Sequence, residues 1–191
     1  DRVRFPHLPL DYPHMVYKTL YGGLFFNLNM VKVVTDNEKL LKSLLRHIDN
    51  VKSNCVKLGE NLIEQGEDRV GRLLIANGYC HDNSKFHGIE WLYLNDDTKT
   101  KSPDLFQAAL IQHNTTNKHH PEAWEGCIHA MDRVHRAEMV CDWAARSSEF
   151  GTDLKDFLKD KAVKRWEMTI QSKAYKETKD LIEMLLDPVF K

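Results

Sequence analysis

Apolar residues in this chain recur every three or four positions, and no run alternates apolar with polar as a half-buried strand would. That periodicity restricts the chain to packed helices. The clearest case follows Thr35-x-x-Glu38, which reads as a capping box. Leu40, Leu44, His47, Val51 and Leu58 then share one face, and the helix is expected to reach about residue 63, with Gly66 in the loop beyond it. A second helix over about 68–80 carries Val70, Leu73 and Leu74 and ends near His81-Asp82. Ser102-Pro103 opens a third, with serine as N-cap and proline at the first helical position. Its face of Phe106, Leu110 and His113 leads into a polar loop over 114–118. A further helix is expected over about 132–148, ending before Gly151, and the charged, amphipathic tail over 153–186 reads as two more, stopped by Pro188. The expected class is all-α. Residues 35–191 form one domain, its centre over about 40–150 and C-terminal helices over 153–187. Residues 1–34 read as an N-terminal arm, because Pro6, Pro9, Pro13 and Gly22-Gly23 interrupt any regular element there.

A chain of 191 residues can bury one full core without disulfides. Its net charge of -1 supplies no global field for nucleic acid or an anionic membrane, although a local basic patch could still hold one phosphate. The four cysteines are scattered with no CxxC, so reduced thiols and a cytoplasmic protein are expected. The nearest approach to a membrane span, residues 20–34, is short and interrupted by Asn27, Asn29 and Lys32. The chain begins at Asp1 rather than Met, which leaves a trimmed leader open. A homo-oligomer also stays open.

The chemistry is carried by histidines and acids on apolar faces. A lone histidine such as His47 or His113 on such a face is ordinarily a hydrogen-bonded core residue. Here several separate helices each aim one metal-competent side chain inward, and the adjacent pair His81-Asp82 joins them. Polar groups converging in a bundle cost stability unless they are paired or ligate a metal. Imidazole with carboxylate suits Mn, Fe, Co, Ni or Zn, and without cysteines at ligand spacing a structural zinc knuckle is not expected. Asp142 admits two readings. With His135, Glu138 and Arg146 it could belong to a solvated face bearing a Glu138–Arg146 charge ladder. Its neighbours Val140, Cys141, Trp143 and Ala144 are locally apolar, however, and an acid there needs a partner.

In order, His47, His81-Asp82 and Asp142 resemble the H…HD…D signature of the HD-domain superfamily. His81-Asp-Asn-Ser-Lys-Phe86, His113…Asn117-Lys-His-His-Pro-Glu122 and Glu138-Met-Val-Cys-Asp-Trp143 resemble, more closely, a small family of HD-like proteins common in phages and bacteria, over about residues 40–170. The resemblance implies an HD-like helical bundle with a divalent metal ion, Mg included, or two such ions, held between helices. It makes His47, His81, Asp82 and Asp142 ligands and places Lys85, in an HDxxK pattern, against an anionic substrate. The superfamily's small nucleotidases often carry a glutamate at that position, so their acid/base assignment does not transfer. His113, His119 and His120 fall where dinuclear members supply ligands to a second metal. Because tandem histidines on a regular helix cannot face one point, one ligand, His120, is expected, with His113 and His119 facing substrate.

The implied activity is metal-dependent hydrolysis of a phosphoester, with a small anionic substrate, a nucleotide foremost. Lys85, His113, His119 and Glu138 are the candidate catalytic side chains. A dinuclear-iron oxygenase and a non-catalytic metal-containing binding protein are the alternatives. Glu122 is expected to favour a helix start, Trp124 and Trp143 to pack in the core, and Arg146 to pair with Asp142 or Glu138.

Overall fold

The structure, a computed structural model, describes the backbone of residues 28–187 and side chains from residue 37 onward. Most of the expected arm, residues 1–27, and Pro188 lie outside the described residues. The first helix, α1, spans Leu28–Glu64 and so begins before the Thr35-x-x-Glu38 box expected to cap it. Residues 28–34 contain neither proline nor glycine. Once a helix is nucleated, each added residue gains a backbone hydrogen bond, so the box is overrun.

The chain reverses at Gly66, whose φ of +87° lies where a side chain would be strained. The following N–H, of Glu67, donates to the Leu62 carbonyl at 2.8 Å. α2 (Asp68–Cys80) then packs back along α1. Two glycines make that contact close: a Cβ at Gly71 would overlap the Gly59 carbonyl oxygen, and one at Gly78 would lie 2.6 Å from Cys55 Cβ. This close crossing sets the end of α2, with His81 and Asp82, against the α1 turn that carries His47.

Two short helices, α3 (Gly88–Tyr93) and α4 (Asp96–Lys101), fill a stretch with no expected element. At six residues each they are too short to display a period. α5 (Pro103–Thr116) starts where the Ser-Pro pair predicts, but the Ser102 hydroxyl makes no capping bond; its carbonyl accepts from Leu105 N–H at 3.0 Å. The helix also runs three residues into the expected polar loop, where the Thr115 and Thr116 hydroxyls donate back to the Ile111 and Gln112 carbonyls at 2.8 and 2.7 Å. α6 (Arg133–Phe150) is capped by Asp132, whose carboxylate accepts from His135 N–H at 2.9 Å, and is closed by left-handed Gly151. The tail holds the two expected helical runs. One comprises α7 (Leu154–Asp156), a π-helical stretch (Phe157–Ala162) and α8 (Val163–Arg165); the other is α9 (Lys173–Leu186).

No strand occurs among the described residues, and the class is all-α. The core joins Val51, Cys55, Leu58 and Leu62 of α1 to Leu74 of α2, Met139 and Val140 of α6, and Leu181, Ile182 and Leu185 of α9. Arg136 is also buried there. Its guanidinium donates to the Ile128 and Met131 carbonyls at 2.9 and 3.0 Å and lies 3.3 Å from Glu177, tying the loop before α6 to α9. No described helix is long and apolar enough to cross a membrane.

Candidate metal centre

The site is built around Asp82, just past the end of α2. Its φ of +55° is a left-handed conformation that aspartate tolerates better than most residues. The turn points its carboxylate inward, where it is buried. One oxygen, Oδ2, faces His81 Nε2 at 3.5 Å, His47 Nε2 at 3.9 Å and Lys85 Nζ at 2.6 Å. The other, Oδ1, faces His113 Nε2 and His119 Nε2, each at 3.4 Å. Asp142, on α6, brings its Oδ1 to 3.1 Å from His47 Nε2. His120 Nε2 lies 2.9 Å from His113 Nε2.

These side chains form overlapping donor groups: His47, His81 and Asp82; His81, His119 and Asp142; and Asp82, His113, His119 and His120. Within each group the ligating atoms lie within 4.8 Å of one another. The arrangement can hold a metal ion, as the unmet polar atoms indicate. His47 Nε2, His81 Nε2, His119 Nε2, Asp82 Oδ1 and Asp142 Oδ1 are all buried without a hydrogen-bond partner. Orphaned polar atoms are costly in a protein interior, and a bound cation would satisfy the five gathered here.

The outer nitrogens are all engaged. His47 Nδ1 lies 3.0 Å from Glu149, His81 Nδ1 3.0 Å and His119 Nδ1 3.3 Å from Glu138, and His113 Nδ1 2.8 Å from Glu90. An ionised carboxylate only accepts, so each Nδ1 donates to its carboxylate and each Nε2 is turned to the centre. His113 Nε2 is therefore an acceptor, and His120 Nε2–H donates to it. Asn77 Nδ2 adds a third bond to Glu138 at 2.9 Å, and Asn50 Nδ2 a second to Glu149 at 3.1 Å.

The charges fit this picture. Burial opposes ionisation of Asp82, but His81 and Lys85 hold its carboxyl well below the usual range. Burial likewise works against Asp142, and the nearby His47 Nε2, at 3.1 Å, and the charge of His81 bring it far down. Glu138 overcomes burial through its bonds to His119 and His81 and sits at about 2. Burial and the positive charge of Lys85 push His113 down to about 3, and burial with the charge of His119 does the same to His120, so both are neutral near pH 7. His119 lies between Asp82 and Glu138, 3.4 and 3.3 Å away; despite burial, these two carboxylates raise it to about 10, and without metal it is an imidazolium.

A cleft of about 420 Å³ opens over the centre, lined by Lys85, His120, Asp142 and Arg146 on its polar side and by Leu44, Trp91 and Phe106 on the other. His47, His81, Asp82, Asp142, His113, His119, His120, Lys85 and Glu138 all meet here. His119 and His120 occupy an irregular turn after α5 rather than a regular helix, so both imidazoles can face one point, and both join the group around Asp82 and His113. Glu138 stands behind the rings of His81 and His119. Arg146 pairs with Glu149 at 3.1 Å, not with Asp142 or Glu138. Glu122 lies apart, bonded to Arg165 at 2.9 Å and Trp166 at 3.3 Å; Trp143 stacks on Trp166, and His135 only caps α6 with Asp132.

Glu90 and Glu149 escaped the sequence reading. Both left a signal: Glu90 is the sole charge in Ile89-Glu-Trp-Leu92, and Glu149 continues the α6 stripe of Glu138 and Asp142 two turns on. No curated protein and no solved structure matches the chain. Residues 36–188, which hold the whole donor cluster, match the model of a family of unknown function (DUF5662), and the chain belongs to that family.

Proposed function

We propose that the chain is a metal-dependent phosphohydrolase of HD-domain type acting on a small phosphoester, with a nucleotide as the leading substrate. The observation that carries this reading is the set of five buried, unpartnered nitrogen and oxygen atoms around Asp82, each histidine among them fixed from behind by a carboxylate. His47, His81, Asp82 and Asp142 would hold one divalent ion. Asp82, His113, His119 and His120 would hold a second, with Asp82 shared. Bound there, divalent ions supply Lewis acidity, which activates water and polarises a phosphoryl oxygen.

The chain's own part is positioning and charge. Lys85 lines the cleft beside Asp82, and its ammonium can offset charge on a phosphoryl group. His120 also lines the cleft and is neutral near pH 7, so one of its ring nitrogens offers a lone pair. The apolar wall of Leu44, Trp91 and Phe106 would exclude water and receive the less polar part of the substrate.

A second reading, an oxygenase with two irons, is favoured by one feature: a donor set rich in imidazole around a shared carboxylate suits iron as well as manganese or zinc. Metal analysis of protein purified without oxygen, with phosphate release followed across nucleotides and simple phosphoesters, tests the proposal. The hydrolase reading expects release with at least one divalent metal, and Lys85→Ala should lower turnover with metal content unchanged. Dioxygen consumption by the iron-loaded protein, with no phosphate released from any ester, would replace it with the oxygenase.

A further inference from the structure

The cleft over the centre does not end at His120. A second lobe of about 480 Å³ shares Leu110, Asn114, His120, Asp142 and Arg146 with the first and continues toward the π-helical stretch, where Lys161, Arg165, Phe157 and Trp166 line it. The two lobes differ in chemistry. The first has the apolar wall described above. The second carries three cations, Arg146, Lys161 and Arg165, and a single carboxylate, Asp142, which is turned to His47.

The three cations differ in how far they are already satisfied. Arg146 is paired with Glu149, which also holds His47. Arg165 is paired with Glu122 and lies with its guanidinium carbon 4.6 Å from the centre of the Trp166 ring. Lys161 makes no ion pair among the described residues. Its backbone setting is unusual: Phe157–Ala162 is π-helical, a form found often at functional sites. An i→i+5 ladder winds more slowly per residue, so Phe157, Lys161 and Arg165, four apart, stay on the lobe while Leu158 and Ala162 turn into the core.

We infer that this lobe is an anion subsite for a second phosphate of the substrate, next to the phosphoryl group at the metal centre. The inference rests on the phosphohydrolase reading and sharpens it: the substrate class is a small phosphoester bearing two phosphate groups, joined or separate, with its less polar part in the apolar lobe. Arg146, which lines both lobes, stands between the two phosphates, and Lys161 and Arg165 hold the outer one.

Inorganic phosphate is the first probe, titrated into the protein as purified and after zinc loading, with tryptophan indole and backbone amide resonances followed by NMR. The Trp166 indole, bonded to Glu122 at 3.3 Å, and the amides around Lys161 should shift saturably. Lys161→Glu should weaken that titration about tenfold or more, because a charged contact to the phosphate is lost and a repulsion added. Lys161→Arg should restore it, and Lys85→Ala should leave it in place. In turnover, nucleoside diphosphates or bisphosphates should be preferred over monophosphates, and Lys161→Glu should erase the preference without lowering monophosphate hydrolysis. Shifts confined to the Trp91 side of the cleft, or an affinity indifferent to Lys161→Glu, would overturn the subsite. Phosphate binding at Lys161 with no preference for a second phosphate in any active substrate would make it a site for free phosphate and sink the assignment. If no phosphoester is hydrolysed but Lys161-dependent binding remains, the anion site stands and the hydrolase reading falls. Hydrolysis indifferent to Lys161 would leave the reverse.

Discussion

Glu138 orders more of the centre than any other carboxylate behind it, so Glu138→Gln is the sharpest single perturbation. Its carboxylate lies 3.0 Å from His81 Nδ1, 3.3 Å from His119 Nδ1 and 2.9 Å from Asn77 Nδ2. Both imidazoles face Oε1 and Asn77 donates to Oε2, so a glutamine of the same volume must set its amide nitrogen against Asn77 or against both rings, and the rings keep at best an uncharged, weaker acceptor. Removing one such outer partner lowers metal affinity about 10- to 100-fold. Because His81 and His119 between them take part in all three donor groups, the expectation is the upper end, about 100-fold, or roughly 3 kcal/mol. The metal-free protein should also weaken. Glu138 sits at about 2, and that depression corresponds to roughly 3 kcal/mol, present above the ordinary glutamate range and lost as pH falls toward 2. Chelator competition followed by elemental analysis gives the affinity, and circular dichroism checks that helical content is kept. Glu90→Gln and Glu149→Gln, each behind one ring, should cost about tenfold. Glu122→Gln, bonded only to Arg165 and Trp166, should cost nothing in metal. A Glu138→Gln protein that holds metal within twofold of the parent, or a Glu122→Gln protein that loses it equally, would refute the reasoning.

Asp82→Ala should reduce metal retention in every donor group it joins, whereas Asp142→Ala should spare the group of His113, His119 and His120; metal-to-protein ratios distinguish the two, and equal losses would show that Asp82 is not shared. In chelated protein, stability should fall as pH rises from about 6.5 toward 10, because His119 binds its proton more tightly folded than unfolded, and this alkaline loss should shrink once metal replaces that proton. Stability should also fall below about 6.5, because His113 and His120, held to about 3, refuse protons that the unfolded chain accepts; thermal midpoints across pH with and without metal check both limbs. Gly71→Ala should destabilise by about 1–3 kcal/mol, since the new methyl group meets the Gly59 carbonyl oxygen, which backbone cannot move aside cheaply; urea denaturation measures it, and a neutral result would mean that α1 and α2 can separate without cost.

Helices announce themselves through local physics, and that part was legible from the residues alone. The apolar stripe through Val51 and Leu58, the Asp132 and Gly151 ends of α6 and the Ser102-Pro103 start of α5 each act within a few residues of themselves. His47 could be placed inward for the same reason, because its neighbours on the helix fix which face is buried, whereas the neighbours of Asp142 left a solvated face equally open. The start of α1 could not be read so, since a local box competes with a helix already propagating through it.

Only the tertiary structure decided how the pieces meet. Gly59, Gly71 and Gly78 look like helix weaknesses in sequence; against the facing helix they become the reason α1 and α2 pack closely enough to bring His81-Asp82 to His47. The two oxygens of Asp82 turn to opposite sets of imidazoles, and His119 and His120 converge because their turn is irregular. Glu90, Glu138 and Glu149 act on rings 23, 57 and 102 residues away in the chain. No periodicity encodes a distance of that kind. Local sequence chose the helices and the inward faces, while the packing of distant segments chose which carboxylate stands behind which histidine.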